Sequence, residues 1–286
     1  MKYPNFSLPR LVILTGLLMS SVCILPVRAE TIDCTAITSL PYTITAQGVY
    51  CLTGNLSTSI TSGNAIAINT NNVTLDLNGY KLGGLGAGDG TQTNGIYANQ
   101  RKNITIKNGI VRGFMAGVFL EDLDPFTTSS GHVVKGILAD QNTVAGIVAT
   151  GFGNTVSHNT VVDTGGSTME NEAFGILVAG SGGKVVNNDI SKTTAQSTGV
   201  ASGISILFAD YSLARNNTVT DTVKDTGISY GIYIESTTGA FLRGNNVANA
   251  DNGLYFSSST GKYFNNLTFD VTTPFTGGTA VGSNNN

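Results

Sequence analysis

Two interleaved repeats constrain this chain more than any other feature. One marker is a glycine followed by an aliphatic residue, found at Gly95, Gly117, Gly146, Gly175, Gly203, Gly231 and Gly253. The other is an Asn or Gly with an aliphatic residue two positions later, led by Asn108, Gly136, Asn159, Asn188, Asn217, Asn245 and Asn265. Successive intervals are 22, 29, 29, 28, 28 and 22 for the first marker and 28, 23, 29, 29, 28 and 20 for the second. Self-similarity at such a period is typical of a repeat protein.

The stretches between the markers read as short β-strands. Apolar and polar residues alternate with a period of two from Ala65 to Ile68 and from Val73 to Leu77, and no stretch after the first 30 residues shows helical periodicity. A repeat of this size cannot bury its own apolar face, so successive coils must stack. The pattern therefore predicts an all-β solenoid of roughly nine or ten coils, about 45 Å long at the ~4.8 Å spacing of strands.

The first residues have the features of a cleaved signal peptide. Lys2 and Arg10 precede an apolar run from Leu11 to Leu25, and small residues flank Arg28. A membrane anchor is the alternative, but a run of roughly 15 residues falls short of the ~20 that span a bilayer. We expect residues 1–29 to be a signal peptide and the protein to be secreted or periplasmic. No later apolar run is long enough to predict a membrane span.

The remaining boundaries follow from the cysteines and the repeats. Removing the signal peptide leaves Cys34 and Cys51, which in an exported chain are expected to form one disulfide. We predict an N-terminal cap over residues 30–60 that contains this Cys34–Cys51 bond, a β-helix over 61–272, and a C-terminal cap and tail over 273–286. Only 12% of the residues are charged and the net charge is −3, with no basic patch, which argues against a nucleic-acid partner.

The repeats resemble those of a known family. The stretches 71–79 (NNVTLDLNG) and 103–109 (NITIKNG), with the later Gly-Ile and Asn-Asn pairs, are similar to the right-handed parallel β-helix proteins of the pectate-lyase-like superfamily. Within it, the chain looks most like bacterial secreted, NosD-like repeat proteins. The resemblance implies a single-stranded right-handed parallel β-helix. It also implies a polysaccharide partner, either for a lyase, hydrolase or epimerase or for a non-catalytic surface protein.

The catalytic motifs of that superfamily are missing from this chain. Gly131-His132-Val133 departs from the Gly-His-Gly of polygalacturonases, and Asp124-Pro125-Phe126-Thr127 departs from the Asp-Pro-His-Asp of mannuronan epimerases. Because there is no Trp, the tryptophan-containing motif of pectate lyases is absent as well. No catalytic residue can be transferred from the family, and no metal ligand is assigned.

A column of charged residues is the candidate catalytic site. Counting four positions from each Asn or Gly marker aligns a set of mainly charged side chains, namely Arg112, Asp140, Asp163, Lys192, Asp221 and Asn249. Three longer loops, 164–173, 193–202 and 222–230, follow this column on successive coils. Asp163, Lys192 and Asp221, supported by Arg112 and Asp140, would suit elimination or epimerisation of an acidic polysaccharide, with calcium as a possible cofactor. A solvated ladder of alternating charges is the competing interpretation.

A second column lies two residues after each glycine marker. Its members are Tyr97, Phe119, Val148, Leu177, Ser205, Tyr233 and Tyr255. We expect the aromatic members, Tyr97, Phe119, Tyr233 and Tyr255, to stack on sugar rings, because an exposed apolar stripe often marks a partner surface. Coverage of the column by the long loops would explain its central Val and Leu equally well.

The leading hypothesis is a monomeric protein that recognises, and on one reading cleaves or epimerises, an extended acidic polysaccharide. A non-catalytic cell-surface or periplasmic adhesion module is the alternative.

Overall fold

The computed structural model describes residues 33–284, which form short strands joined by turns and loops. The first thirteen strands are β1 (Thr35–Ile37), β2 (Tyr42–Ile44), β3 (Gly48–Leu52), β4 (Leu56–Ser57), β5 (Ser62–Ile68), β6 (Val73–Asp76), β7 (Lys81–Gly83), β8 (Gln92–Asn99), β9 (Ile104–Arg112), β10 (Ala116–Glu121), β11 (Val133–Asp140), β12 (Ala145–Thr150) and β13 (Thr155–Ser157). The others are β14 (Thr160–Gly165), β15 (Ala173–Ala179), β16 (Lys184–Val186), β17 (Asp189–Thr194), β18 (Val200–Leu207), β19 (Leu213–Arg215), β20 (Thr218–Val223), β21 (Ile228–Glu235), β22 (Ala240–Arg243), β23 (Asn246–Ser257), β24 (Gly261–Phe264), β25 (Leu267–Thr276) and β26 (Thr279–Ala280). A single 3₁₀ turn, Leu85–Ala87, is the only helix in this part of the chain.

Parallel pairing between successive coils builds three faces. The first sheet stacks β2, β5, β8, β10, β12, β15, β18, β21, β23 and β25. The second stacks β1, β3, β6, β9, β11, β13, β16, β19, β22, β24 and β26. The third stacks β4, β7, β9, β11, β14, β17, β20, β23 and β25, of which the longest strands bend and serve two sheets. The fold is a single-stranded right-handed parallel β-helix, as predicted.

Inward aliphatic side chains from the three sheets fill one elongated core. Ile147, Ile176 and Ile204 follow one another in register on the first sheet, and all three are fully buried. The glycine marker has its cause here. A Cβ atom on Gly175 would lie 2.6 Å from Cγ2 of Ile190, an inward residue of the same coil, and a Cβ on Gly95 would lie 2.7 Å from Cγ1 of Val111. The glycine leaves room for the inward side chain of the third sheet.

A buried asparagine ladder connects the coils. The Nδ2 of Asn188 donates to Oδ1 of Asn217 at 3.0 Å, and Asn217 donates in the same way to Asn245. Each Oδ1 also accepts the backbone N–H of the asparagine one coil earlier. The asparagines of the second sequence marker thus stack between coils, but Asn265 is not a member of the ladder. Asn266 occupies that position, since Asn265 has a φ of 52° and lies at the preceding bend.

Asn108 and Gly136 are a second correction to the asparagine column. They belong with Asn265, because their φ angles of 57° and 63° put them at the same left-handed bend. The sequence marker therefore mixes two adjacent columns, one at the bend and one that points inward. This one-residue offset matters for the predicted charged column, which was counted from these markers.

The predicted disulfide is present at the first coils. Cys34 and Cys51 are bonded, with their Cα atoms 5.9 Å apart. Strands β1 to β4 of the predicted cap segment already pair in parallel with the coils that follow, and β25 and β26 continue the ladder at the other end. The predicted signal peptide, residues 1–29, lies outside the described residues. Within residues 33–284, no helix has the length and apolar character needed to cross a membrane.

Candidate functional site

A bend in the third sheet holds the predicted charged column. Residues at this bend share φ angles near 50°, or 75° for the glycine, and they are Gly113, Gln141, Asp163, Lys192, Asp221, Asn249 and Asp270. Asp163 and Lys192 lie in register between the paired residues of β14 and β17, and Asp221 follows on β20. Asn and Asp tolerate this left-handed conformation better than most other residues. The structure thus brings together the three residues predicted to be central.

Arg112 and Asp140 lie in the neighbouring column, so their predicted alignment with Asp163 is wrong. Arg112 pairs in register with Asp140, and Asp140 with Val162. The cause is the offset described above, because Asn108 and Gly136 lie one residue before the inward position that Asn159 occupies in its own coil. The catalytic assignment of these residues stays a prediction.

The charges of the two columns are partly paired. Nε of Arg112 lies 3.1 Å from Oδ2 of Asp140, and its guanidinium also donates to Oε1 of Gln141. Nζ of Lys192 lies 3.5 Å from Oδ1 of Asp163, with side chains 63% and 43% exposed, so this pair adds little stability. Asp221 accepts a 2.9 Å hydrogen bond from the amide of Asn249. The Lys192 and Asp163 side chains are consequently open to a ligand.

Three adjoining clefts run along this corner of the rod. The first, of about 360 Å³, is lined by Ser57, Thr58, Ser59, Lys81, Gly83, Leu85, Gly86 and Arg112. The middle one, of about 260 Å³, is lined by Leu85, Gly88, Asp89, Gly113, Gln141, Thr143, Asp163 and Gly165. The third, of about 340 Å³, is lined by Asp163, Thr164, Gly165, Gly166, Lys192, Thr194, Gln196, Asp221 and Val223. Because neighbours share Leu85 or Asp163 and Gly165, the three clefts form one groove parallel to the axis.

The predicted long loops flank this groove. They connect β14 to β15, β17 to β18 and β20 to β21, as the sequence indicated. They also bond to one another along the axis, since Gln196 N–H donates to Asn171 O at 2.8 Å and Thr226 N–H donates to Ser197 O at 2.9 Å. The loops thus form a continuous wall.

The sequence analysis missed the contribution of the glycine-rich segment 83–90, which lies outside the two repeat markers. It packs against the long-loop wall, where Thr168 N–H donates to Asp89 O at 3.2 Å, and it places Leu85 and Asp89 in the groove. Lys81 and Gln141 were missed as well. Counting two positions from each inward residue of the third sheet, such as Val111 and Ala139, would have found Gly113 and Gln141.

The aromatic column lies on the outer face of the first sheet and follows the predicted register. The ring centroids of Tyr97 and Phe119 are 5.6 Å apart, and those of Tyr233 and Tyr255 are 6.0 Å apart. Tyr230, which sequence reasoning missed, stacks 4.6 Å from Tyr233. None of these aromatic residues lines the three clefts, so the charged and aromatic columns are separate surfaces.

The tyrosine hydroxyls are held in their neutral form. Burial, with a hydrogen bond and repulsion from Glu121, raises the pKa of Tyr97 to about 12. Burial raises the pKa of Tyr230 and of Tyr233 as well, with nearby acidic groups and the neighbouring tyrosines adding to the shift. At neutral pH these side chains can offer ring faces and hydroxyl hydrogen bonds, but no phenolate nucleophile.

Comparisons with known proteins identify the fold class. Residues 139–270 match the sequence model of a family described as periplasmic copper-binding protein (NosD). No curated protein sequence matches the chain. The Dettilon tailspike protein superposes with a TM-score of 0.60 at 16% identity, covering 81% of this chain and 46% of the tailspike. Tailspike protein 2 of bacteriophage CBA120 gives 0.59 at 15% identity, covering 82% of this chain and 38% of that one. An alginate lyase from a Paenibacillus species gives 0.54 at 15%, covering 86% of both chains.

At these identities the likeness concerns the fold, and the chain spans less than half the length of the two tailspike chains.

The NosD description names copper, whose usual ligands are imidazole, thiolate and thioether groups. Within residues 33–284, Cys34 and Cys51 are bonded to each other, and no group of three or more His, Cys, Asp or Glu side chains is arranged to hold a metal. Nδ1 of His132 accepts the N–H of Ile104, and His158 contacts Asn187 on the next coil. These residues do not fit a copper centre. The chain has the fold of the right-handed parallel β-helix proteins, and its residues 139–270 are similar to the NosD family.

Proposed function

We propose that this protein binds an extended polysaccharide along the groove beside the long loops. The observation that carries the proposal is the run of three adjoining clefts parallel to the axis. A linear polymer can occupy such a groove with one sugar unit after another, because successive coils each present one side chain at regular spacing. The alginate lyase and the tailspikes support this proposal only by analogy of fold.

The central contacts would come from the column at the bend. Asp163, Lys192 and Asp221 alternate acceptor and donor groups along the third cleft. Their exposed ion pair costs little to rearrange, so both partners can turn to sugar hydroxyl groups. We expect the polymer to run across these side chains with the loop 166–171 at its flank.

Isothermal titration against a panel of neutral, acidic and amino-sugar oligomers tests the proposal. The variant Asp163→Asn plus Lys192→Gln should weaken binding by about tenfold or more, because neutral amides form weaker hydrogen bonds than the charged groups they replace. The matched control is Asp270→Asn plus Lys262→Gln, which makes the same charge changes beyond the clefts, with Asp270 at the same bend. Equal binding by the two variants would contradict the proposed groove.

Catalysis at the same column is a further proposal within this function. Elimination or epimerisation of a uronic acid requires a base and a cation that offsets the sugar carboxylate. Asp163 or Asp221 would supply the base and Lys192 the cation, with Arg112 and Asp140 supporting from the neighbouring column. Incubation with uronic-acid polymers, with and without calcium, should then give unsaturated products or altered stereochemistry. If all of these polymers stay unchanged, the protein binds without catalysis.

The aromatic surface favours a second candidate, a non-catalytic binding or adhesion module. Tyr230, Tyr233 and Tyr255 form one cluster of partly exposed rings, with Tyr230 and Tyr255 5.1 Å apart. Such faces stack on apolar surfaces of sugar rings. Binding that survives Asp163→Asn plus Lys192→Gln but is lost in Tyr233→Ala plus Tyr255→Ala would support this candidate over the groove.

An exported location is part of the proposal. The Cys34–Cys51 disulfide suits an oxidising compartment, and the NosD family is described as periplasmic. Cell fractionation should find the full chain in the periplasm or medium, and a chain lacking residues 1–29 in the cytoplasm. Retention of the full chain in the cytoplasm would contradict this location.

A further inference from the structure

The middle cleft of the groove differs from its neighbours in charge. It is lined by two carboxylates, Asp89 and Asp163, and by no Lys, Arg or His. Its other polar side chains are those of Gln141 and Thr143, which are uncharged. The charged side chains that line this cleft are therefore both negative, and one of them, Asp163, lies 3.5 Å from the Lys192 ammonium group.

The two flanking clefts have a different balance of charge. The first contains Lys81 and Arg112 and no carboxylate, although Arg112 is paired with Asp140 3.1 Å away. The third contains Lys192 between Asp163 and Asp221. Charge thus changes along the groove from positive to negative, and the most negative part is the middle. Aligned charge of one sign in a cleft attracts ligands of the opposite sign.

The middle cleft also has unused hydrogen-bonding capacity. Thr143 is only 6% exposed, and its Oγ1 is buried without a hydrogen-bond partner among the described residues. The Asp163 side chain is 43% exposed and has only a 3.5 Å contact with Lys192, while Asp89 is exposed. Oε1 of Gln141 is taken by Arg112, which leaves its amide N–H groups as donors. Carboxylate and hydroxyl acceptors together suit a cationic donor.

Local backbone geometry keeps the two acidic walls close. A Cβ atom on Gly113 would lie 2.5 Å from the backbone nitrogen of Leu85, and Gly113 has a φ of 75°. Only glycine allows the 3₁₀ turn at Leu85–Ala87 to approach the third sheet so closely. The acidic cleft is therefore built by the fold and does not depend on a chance meeting of surface side chains.

We propose that the middle cleft binds the protonated amino group of an amino sugar within the polysaccharide. This inference rests on the proposed function, since it names the class of polymer that the groove selects. Asp89 and Asp163 accept hydrogen bonds from the ammonium group, and the same two carboxylates disfavour a uronic acid in the middle cleft, so an acidic unit of the polymer would lie beside Lys192 in the third cleft.

Titration with three oligomers of equal length tests the inference. The oligomers are glucosamine, N-acetylglucosamine and galacturonic acid chains, compared at mildly acidic pH and low salt, where the amine is protonated and the carboxylates are ionised. The glucosamine oligomer should bind roughly fivefold or more tightly than the others, and added salt should reduce this preference. Asp89→Asn and Asp163→Asn should each remove most of the preference.

Asp270→Asn is the matched control, because Asp270 has the same left-handed backbone as Asp163 but lies outside the clefts. Asn tolerates this conformation, so Asp163→Asn and the control should both fold. Equal or tighter binding of the acetylated or acidic oligomer by the unaltered protein would overturn the amino-sugar inference and leave the groove proposal standing. If none of the three oligomers binds, the proposed function and this inference both fail.

Discussion

One buried asparagine in each of five successive coils, from Asn159 to Asn266, connects the coils where the second sheet passes into the third. Asn188 donates to Asn217 Oδ1 and to Val156 O, and its own Oδ1 accepts two hydrogen bonds from Asn159. With an exposed fraction of 2%, it has no water to replace these partners. Deleting its amide leaves buried polar groups of three residues without a hydrogen-bond partner, and each such group lowers the free energy of unfolding.

We expect Asn188→Ala to lower the free energy of unfolding by about 3 kcal/mol, as measured by denaturant titration. Asn187→Gly is the matched control one residue earlier. Asn187 is at the bend with a φ of 54°, which glycine adopts freely, and its amide makes only an exposed contact with His158. The control should stay within about 0.5 kcal/mol of the unaltered protein. A similar loss in both variants would contradict the ladder's role.

His132 gives stability a dependence on pH. It is 1% exposed, its Nδ1 accepts the Ile104 N–H, and burial lowers its pKa from 6.5 to about 4, with Asp122 opposing part of the shift. Below pH 6.5 this histidine is protonated in the unfolded chain, whereas in the folded protein it stays neutral until the pH falls to about 4. Stability is therefore lost as the pH falls through this window.

The expected loss between neutral pH and pH 4 is about 3 kcal/mol from this residue. Urea unfolding measured between pH 7 and pH 4 should show that the free energy of unfolding falls less with pH in His132→Asn than in the unaltered protein. His158→Asn, the same substitution at an exposed bend, is the matched control. Identical pH profiles for all three proteins would show that His132 is not the group that titrates.

At the scale of elements, we expect the three long loops to contribute to polysaccharide affinity and little to the stability of the fold. The loop between β14 and β15 lies beyond the core. Its Thr168 N–H donates to Asp89 O of the glycine-rich segment, and its Asn171 O accepts the Gln196 N–H of the next loop. Replacing residues 166–171 by a short turn should lower the free energy of unfolding by no more than about 2 kcal/mol, because two backbone hydrogen bonds are lost and loop length enters only logarithmically. Polysaccharide affinity should fall, since one wall of the groove is removed.

Titration calorimetry and thermal unfolding on the same samples separate the two effects. Leu123→Ala and Phe152→Ala serve as controls, because both side chains are exposed at the corner between the first and second sheets, away from the clefts. They should leave affinity unchanged. A shortened loop that unfolds the protein, or that binds as well as the original, would contradict this division.

The sequence predicted the elements better than it predicted the site. Ile147, Ile176 and Ile204 reveal the first sheet because burial imposes the same residue type at every coil. The groove cannot be predicted from the repeat in this way. Asp89 lies in a glycine-rich segment outside the repeat, and its approach to Gly113 and Asp163 depends on how that segment packs. Arg112 was assigned to the wrong column because asparagine is common in two adjacent columns. In one column its backbone adopts the left-handed conformation, and in the other its side-chain amide forms the buried ladder.

At the scale of the whole molecule, each coil touches only its neighbours, so local damage should stay local. The Cys34–Cys51 bond joins β3 to the residue before β1 at the beginning of the described chain. Replacing both cysteines by Ala removes up to roughly 3 kcal/mol from this end. Hydrogen exchange should then speed up in β1 to β4 and stay slow in the central coils. Faster exchange along the whole rod would show that the coils unfold as one unit.

The left-handed bend that recurs in seven successive coils of the third sheet, from Gly113 to Asp270, has an evolutionary consequence. Because neighbouring coils meet through the same register, a duplicated coil can be inserted without disturbing the rest of the stack. Each insertion lengthens the groove by about 4.8 Å and adds one side chain to its floor. The repeat thus works as a molecular ruler, in which the number of coils sets the length of polymer that can be held and the residue at each bend is free to diversify.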